Sequence, residues 1–263
     1  MNYEIIDFHT HPFTDVHNNI CNHIKYCDMS PSNTLTYLLG LGISKICGTV
    51  LCRNNAEYAP YENDWEMIKA SNEAALSLKT IYGDFYIPGF HVHPGYVKKS
   101  CDEIERMNHL GVRLIGELVP YMHGWDDYSR GEFDEILDVA SEYHMVVSVH
   151  TQDDDQMDVM VKKHPNTVIV AAHPGEEHRF ARHLARMRMS ENYYLDLSGS
   201  GLVRHGMLRH GIDECGVERF LFGSDYPICN PGMFMGGVIW DTLITEREKI
   251  MILAGNAKKI LGL

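Results

Sequence analysis

The sequence predicts an α/β fold, a (β/α)8 TIM barrel built as a single domain. Three observations favour it: short apolar runs alternate with longer amphipathic ones, successive runs are far enough apart for a crossover helix, and the chain has 263 residues. A TIM barrel typically needs about 250 residues. The runner-up is an open doubly wound sheet, but no Gly-x-Gly-x-x-Gly segment follows the first apolar run.

Eight short apolar runs are predicted to form the strands. They are rich in Val, Ile, Leu, Phe and Tyr, which is typical of strands buried on both faces. In chain order, the predicted strands are 4–8, 46–51, 85–92, 112–119, 145–149, 167–172, 193–197 and 219–222.

The segments between these strands have helical patterns. The first follows Ser30-Pro31, a helix start signal, and the second carries an apolar stripe that includes Trp65, Ile68 and Ala75. We treat residues 1–263 as one domain, with residues 13–29 as a polar loop insertion after the first strand. The predicted helices are 32–41, 63–81, 97–110, 132–143, 156–164, 177–189, 207–215, 246–253 and a short closing helix, 256–261.

Composition excludes several classes of protein and of partner. The formal charge of −13 argues against a nucleic-acid partner, because phosphate binding needs a basic surface. No apolar run is long enough to span a membrane. The 7 Cys lack a disulfide-framework spacing and no signal peptide is recognisable, so we expect reduced thiols and a cytoplasmic location. Exposed apolar helix residues suggest that the chain could form a homodimer.

The chain contains 16 His, and their positions matter more than their number. The first strand ends in His9-Thr10-His11, and residues two apart on a strand project to the same side. Two imidazoles on one strand can therefore reach one metal ion. Taken alone, such a pair could equally be two buried histidines held by hydrogen bonds.

Ligand-type side chains at the matching end of four further strands favour a metal site. Glu117, His150, His173 and Asp225 each follow an apolar run that should otherwise be buried on both faces. Converging imidazoles and carboxylates without a cation would be costly to bury. Nitrogen and carboxylate ligands suit Zn²⁺ best, with Mn²⁺, Fe²⁺ or Co²⁺ as alternatives.

In these motifs the sequence resembles the amidohydrolase superfamily of metal-dependent TIM-barrel hydrolases, and within it the amidohydrolase 2 branch. The resemblance runs from Ile6-Asp7-Phe8-His9-Thr10-His11-Pro12, through the strand-end His150, His173-Pro174-Gly175 and Gly223-Ser224-Asp225-Tyr226-Pro227, to the closing residues 255–263. It therefore covers essentially the whole chain.

The resemblance implies a role for each of these residues. His9, His11, His150 and Asp225 would bind metal, and His173 would bind a second metal ion or act as a catalytic imidazole. Glu117 takes a position where many binuclear members carry a carboxylated lysine. No Lys lies between Lys99 and Lys162, so that group is excluded here. A Glu there leaves two options open, one metal ion or two ions bridged by Glu117.

The predicted function is hydrolysis of a C–N or C–O bond in a small amide, lactam, lactone or ester by metal-activated water. Asp225 is the predicted general base and proton shuttle. Three alternatives remain: nonhydrolytic decarboxylation or hydration within the same fold, hydrolysis of a small phosphoester, and metal binding without catalysis. The phosphoester alternative rests on His91-Val92-His93-Pro94-Gly95, which resembles the strand-end His-Pro of TatD-type nucleases.

The substrate-binding residues are expected in the loops that follow the strands. Arg53 could clamp a carboxylate or phosphate with its two parallel N–H donors. His93, Tyr121, His123 and Trp125 follow the third and fourth strands and could reach a small-molecule substrate.

Overall fold

Eight parallel strands follow one another around a barrel in strict chain order, in a computed structural model that describes residues 3–15, 18–21, 30–52, 61–201 and 204–263. Backbone hydrogen bonds also join the first strand to the last, from Phe8 N to Phe222 O at 2.9 Å and from His11 N to Tyr226 O at 2.7 Å. The predicted TIM barrel is confirmed. The strands are β1 (Ile6–Thr10), β2 (Lys45–Gly48), β3 (Tyr86–Phe90), β4 (Leu114–Leu118), β5 (Val146–His150), β6 (Val168–Ala172), β7 (Tyr193–Asp196) and β8 (Phe220–Leu221).

Helices alternate with the strands and cover the outside of the barrel. Their starts agree with local capping: the Ser30 side chain accepts a hydrogen bond from Asn33 N ahead of Pro31, and the Asp153 side chain accepts from Asp155 N and Gln156 N. The α-helices are α1 (Pro31–Gly40), α2 (Asp64–Tyr82), α3 (Val97–His109), α4 (Gly131–Glu142), α5 (Asp154–Lys163), α6 (Glu177–Met189), α7 (Met207–Cys215), α8 (Pro231–Ile239), α9 (Glu246–Ile250) and α10 (Asn256–Leu261).

The helix α8 was not predicted from the sequence. It contains Gly232, Gly236 and Gly237, and each glycine lowers helix propensity by about 1 kcal/mol relative to alanine. Packing of its buried apolar residues against the barrel overrides that cost. The start signal was nevertheless present, because the Asn230 side chain caps the helix ahead of Pro231. A π-helical turn, Met251–Gly255, joins α9 to α10, so the predicted helix 246–253 is irregular at its end.

The interior of the barrel places the strand ends that matter for function. Val146, Tyr194 and Leu221 belong to a buried cluster that also includes residues of α10, so this helix closes the amino-terminal end of the barrel. Strand residues two or four positions further on share the inward direction. These residues are His150 on β5 and Asp196 on β7, whereas Asp225 lies in the loop after β8.

Within the described residues, no helix combines the length and the apolar composition that crossing a bilayer requires.

Candidate metal centre

The carboxyl end of β1 brings together His9, on the strand, and His11, just after it. The Nε2 atoms of His9 and His11 are 3.3 Å apart, and both side chains are almost completely buried. Asp225 approaches them from the loop after β8, with its Oδ1 atom 3.5 Å from each Nε2. His9, His11 and Asp225 therefore form one compact group of ligand-type atoms.

The carboxylate of Glu117 lies between two pairs of imidazoles. Its Oε2 atom is 3.3 Å from His9 Nε2 and 3.2 Å from His11 Nε2. Its Oε1 atom faces the other way, 2.9 Å from His150 Nδ1 and 3.6 Å from His173 Nε2. His9, Glu117 and His173 form a second group that shares His9 with the first. The six residues predicted as metal ligands thus lie around one point of the barrel.

The hydrogen-bond donors and acceptors of the site are arranged as expected for a bound cation. His9 Nδ1 is 2.9 Å from Asp196 Oδ2, and His11 Nδ1 is 3.4 Å from the carbonyl oxygen of Thr49. When each imidazole donates from Nδ1, both Nε2 lone pairs point at each other and at the oxygens of Glu117 and Asp225. Acceptors packed this closely repel one another unless a positive charge sits among them. Imidazole nitrogen with carboxylate oxygen is the donor set of divalent metal sites such as those of zinc and manganese.

The pKa shifts of Glu117 and His9 also favour a bound cation. Burial alone would raise the pKa of Glu117, but the imidazoles of His9, His11 and His150 hold that pKa well below its usual range. Burial would lower the pKa of His9, yet Glu117 and Asp196 raise it well above its usual range. Glu117 is therefore charged in spite of its burial, and its carboxylate would attract a cation.

Two other pKa values set the chemistry that the site can perform. Burial raises the pKa of Asp225, so this carboxylate is easier to protonate than a solvated one. Burial also lowers the pKa of His173, which keeps its imidazole neutral. A group that accepts a proton readily next to a neutral imidazole suits proton transfer.

Backbone conformation places two of these side chains. His173 and Asp225 both have φ in the left-handed region, at 68° and 62°, which non-glycine residues rarely adopt. Such strain costs on the order of 1–3 kcal/mol per residue and is concentrated at functional sites. Gly199, with φ +62, lets the next loop approach closely, since a Cβ atom there would lie 2.2 Å from His173 Nδ1.

Sequence reasoning missed a buried group behind the ligands. Asp196 and Ser198, at and just after the end of β7, are completely buried, and Ser198 Oγ is 3.0 Å from His9 Nδ1 and also from His173 Nδ1. A charged residue inside the otherwise apolar run Tyr193-Tyr194-Leu195-Asp196-Leu197 was the available signal. Asp196 lay inside the predicted strand 193–197, and Ser198, which follows it, is not a typical metal ligand, so a search for ligand-type residues at strand ends passed over both.

The predicted substrate-binding residues separate into three sets. Tyr121 is exposed and stacks edge-on at 5.5 Å from the His150 ring, beside the metal centre. His93, His123 and Trp125 are buried instead, with His93 Nε2 2.8 Å from the His123 carbonyl oxygen and the Trp125 ring packed on Phe133. Arg53 lies outside the described residues.

A cavity of about 120 Å³ opens onto the metal centre. Its lining combines polar residues of the candidate centre and Tyr121 with apolar side chains. His93, His123 and Trp125 are not among its described lining residues. The described lining consists of His11, Glu117, Tyr121, His150, His173, Asp225, Ile20, Leu51, Val119, Met122 and Ile228.

Comparison with known proteins gives the chain a family. The family model described as Amidohydrolase matches residues 6–263. No sequence among the curated proteins matches the chain.

Solved structures of low sequence identity share the fold over the full length. A 2,6-dihydroxybenzoate decarboxylase from Rhizobium is 15% identical, with a TM-score of 0.71 and 99% of each chain covered. A dihydroxybenzoic acid decarboxylase from Polaromonas, with bound manganese and the inhibitor 2-nitroresorcinol, is 15% identical, with a TM-score of 0.71 and 100% of this chain and 98% of that one covered. A 4-oxalomesaconate hydratase from Rhodopseudomonas palustris is 16% identical, with a TM-score of 0.68 and 98% and 95% covered.

Proposed function

The chain belongs to the amidohydrolase family, and from that premise we propose that it is a metal-dependent hydrolase that would hold two divalent cations, one on each side of Glu117. It would cleave a C–N or C–O bond of a small amide, lactam, lactone or ester. The cavity of about 120 Å³ suits a small substrate, since an engineered apolar cavity of about 150 Å³ accommodates benzene.

The position of Glu117 between two imidazole pairs is the observation that supports two cations. One carboxylate oxygen faces His9 and His11, and the other faces His150 and His173. A carboxylate that bound one cation alone would need only one of its oxygens to face an imidazole pair. His9, His11 and Asp225 would complete the first position, and His150 and His173 would complete the second.

The cations would supply Lewis acidity, which polarises a substrate oxygen and lowers the pKa of water toward about 7. The chain's own residues then direct the proton. Asp225 faces the cavity with a raised pKa, so it can take a proton from the attacking water and deliver it to the leaving nitrogen or oxygen. Tyr121, at the rim of the cavity, is positioned to contact the substrate.

Nonhydrolytic decarboxylation or hydration is the second candidate. The similar structures include several decarboxylases and a hydratase, and the Polaromonas decarboxylase holds manganese. In that reaction Asp225 would deliver its proton to a substrate carbon instead of a leaving group. Manganese would then be a natural choice of cation besides zinc, iron and cobalt.

One experiment separates these candidates. The metal-free chain is loaded with Zn²⁺ or Mn²⁺ and offered matched esters, lactones, amides and phosphomonoesters, together with hydroxybenzoates whose CO₂ release is followed. We expect turnover of at least one ester, lactone or amide, and its loss in His150→Ala. CO₂ release without any hydrolysis would replace the proposal with decarboxylation, and phosphoester cleavage alone would replace it with phosphatase activity. Stoichiometric metal without turnover of any compound would contradict an enzymatic role.

A further inference from the structure

A single hydroxyl behind the metal centre touches imidazoles from both proposed cation positions. Ser198 Oγ is 3.0 Å from His9 Nδ1 and 3.0 Å from His173 Nδ1. These contacts are on the side of each ring away from Glu117, because His9 Nε2 and His173 Nε2 face that carboxylate. Ser198 is completely buried, so no bulk water competes for these contacts.

The hydrogen-bond inventory fixes which atom donates. A serine hydroxyl has one proton and two lone pairs. Ser198 Oγ donates that proton to Asp196 Oδ1 in a short contact. Asp196 Oδ1 also accepts a hydrogen bond from Ser198 N at 2.9 Å. The lone pairs of Ser198 Oγ are then left to accept, and the nearby atoms that can donate are the Nδ1–H groups of His9 and His173.

We propose that Ser198 and Asp196 are positioning residues that hold His9 and His173 in the tautomer with Nδ1 protonated, so that Nε2 of each ring is free to bind a cation. The inference rests on the metal centre of the proposed function. Outer hydrogen bonds of this kind orient metal-binding imidazoles, and their loss typically lowers metal affinity by about 10–100-fold.

The two residues act on the two rings unequally. His9 has a second acceptor, Asp196 Oδ2, at 2.9 Å. For His173 Nδ1, the hydrogen bond that the structure describes is the one with Ser198 Oγ. Removing the hydroxyl should therefore release His173 and weaken the second cation more than the first. The Asp196→Asn substitution should weaken binding of the first cation more. The amide nitrogen of asparagine, unlike a carboxylate oxygen, cannot accept a hydrogen bond from His9 Nδ1.

The test uses the full chain carrying Ser198→Ala, Ser198→Thr or Asp196→Asn. Zn²⁺ is titrated against a chelator of known affinity to resolve the two binding steps. Nitrogen-15 NMR of the neutral His173 ring in the metal-free protein reads its tautomer directly, without any need for activity. Ser71→Ala is the matched control, because Ser71 is also buried and hydrogen-bonded, to Cys52 N and Met67 O, and none of these partners is an imidazole.

We expect Ser198→Ala to weaken the second step about 10–100-fold and to leave His173 as a mixture of tautomers. In Ser198→Thr and Ser71→Ala, the affinity of the second binding step and the tautomer of His173 should stay close to those of the wild type. Equal weakening of both steps in Ser198→Ala, or an unchanged tautomer of His173, would overturn the proposal. If the wild-type chain bound no metal, the proposed function would fail, while the NMR comparison would still decide whether Ser198 sets the tautomer.

Discussion

Glu117 Oε1 and His150 Nδ1 are 2.9 Å apart, on the side of the carboxylate that faces away from His9 and His11. This contact divides the candidate ligands into two halves that share one carboxylate. It also gives the two halves different sensitivities to mutation, since His150 contributes to one half only.

The first prediction concerns His150→Ala. Removing this imidazole takes a ligand from the second position and leaves His9, His11 and Asp225 in place, so metal content should fall from two ions per chain to one. Elemental analysis after dialysis measures it. His164→Ala is the matched control, because His164 pairs with Asp134 at 2.9 Å on the outside of the barrel. A variant that still held two ions would show that His150 is not a ligand.

The second prediction concerns Glu117→Gln. The amide keeps the shape of the side chain but removes the charge that faces both imidazole pairs. The affinity for both cations should fall by more than the roughly 10–100-fold expected when a residue that only hydrogen-bonds to a ligand is lost. Chelator competition measures the two affinities. If only one step changed, Glu117 would belong to one cation and not to both.

The third prediction tests how closely the loop after β7 approaches His173. A Cβ atom at Gly199 would lie 2.2 Å from His173 Nδ1, so Gly199→Ala should displace the ring and lower affinity for the second cation. Gly111→Ala is the control: its φ is +76, and a Cβ atom there meets nothing within 4 Å. Both variants pay the cost of a left-handed residue, about 1–2 kcal/mol. Equal metal affinity in the two variants would contradict the contact.

The fourth prediction concerns stability away from the site. Arg186 on α6 is completely buried, and it donates from Nε to Asp158 at 2.6 Å and from an Nη atom to Asp154 at 2.7 Å. Arg186→Met should lower the free energy of unfolding by about 2–3 kcal/mol, less than a wholly buried pair because both carboxylates reach solvent. Denaturant titration measures it. Arg182→Met, on the same helix and more exposed, should change stability by less than about 1 kcal/mol.

The fifth prediction concerns pH and follows from the contact between Arg186 and Asp154. Burial would raise the pKa of Asp154, but Arg186 holds that pKa below its ordinary value. The unfolded chain therefore binds this proton at a higher pH than the folded chain. The stabilisation is complete above the ordinary aspartate pKa and is lost as the pH falls through the lowered value. Unfolding free energy measured below pH 4 should fall less steeply in Arg186→Met than in wild type; parallel curves would contradict this.

The clustering of the candidate ligands was predictable because strand geometry is periodic. A polar residue where a buried strand ends is conspicuous, and eight such ends share one face of a barrel. That reasoning placed His9, His11, Glu117, His150, His173 and Asp225 around one point, as the distances now describe. The barrel, its strand order and most helix bounds followed from the same hydrophobic periodicity.

Other features depend on tertiary contacts that no local pattern carries. Ser198 is an ordinary loop serine in sequence, and its importance comes only from two rings that arrive from β1 and β6. His123 and Trp125 lie close to Glu117 in the chain but turn into the packed layer behind the site. The helix α8 is rich in glycine, and packing rather than propensity determines its structure.

Metal stoichiometry of the wild-type chain tests the central claim most directly. The protein is purified without chelator, saturated with Zn²⁺ or Mn²⁺, dialysed and subjected to elemental analysis. Two equivalents per chain, falling to one in His150→Ala, is the result expected from Glu117 lying between two imidazole pairs. A single equivalent at saturation, with His150→Ala unchanged, would contradict the bridged centre.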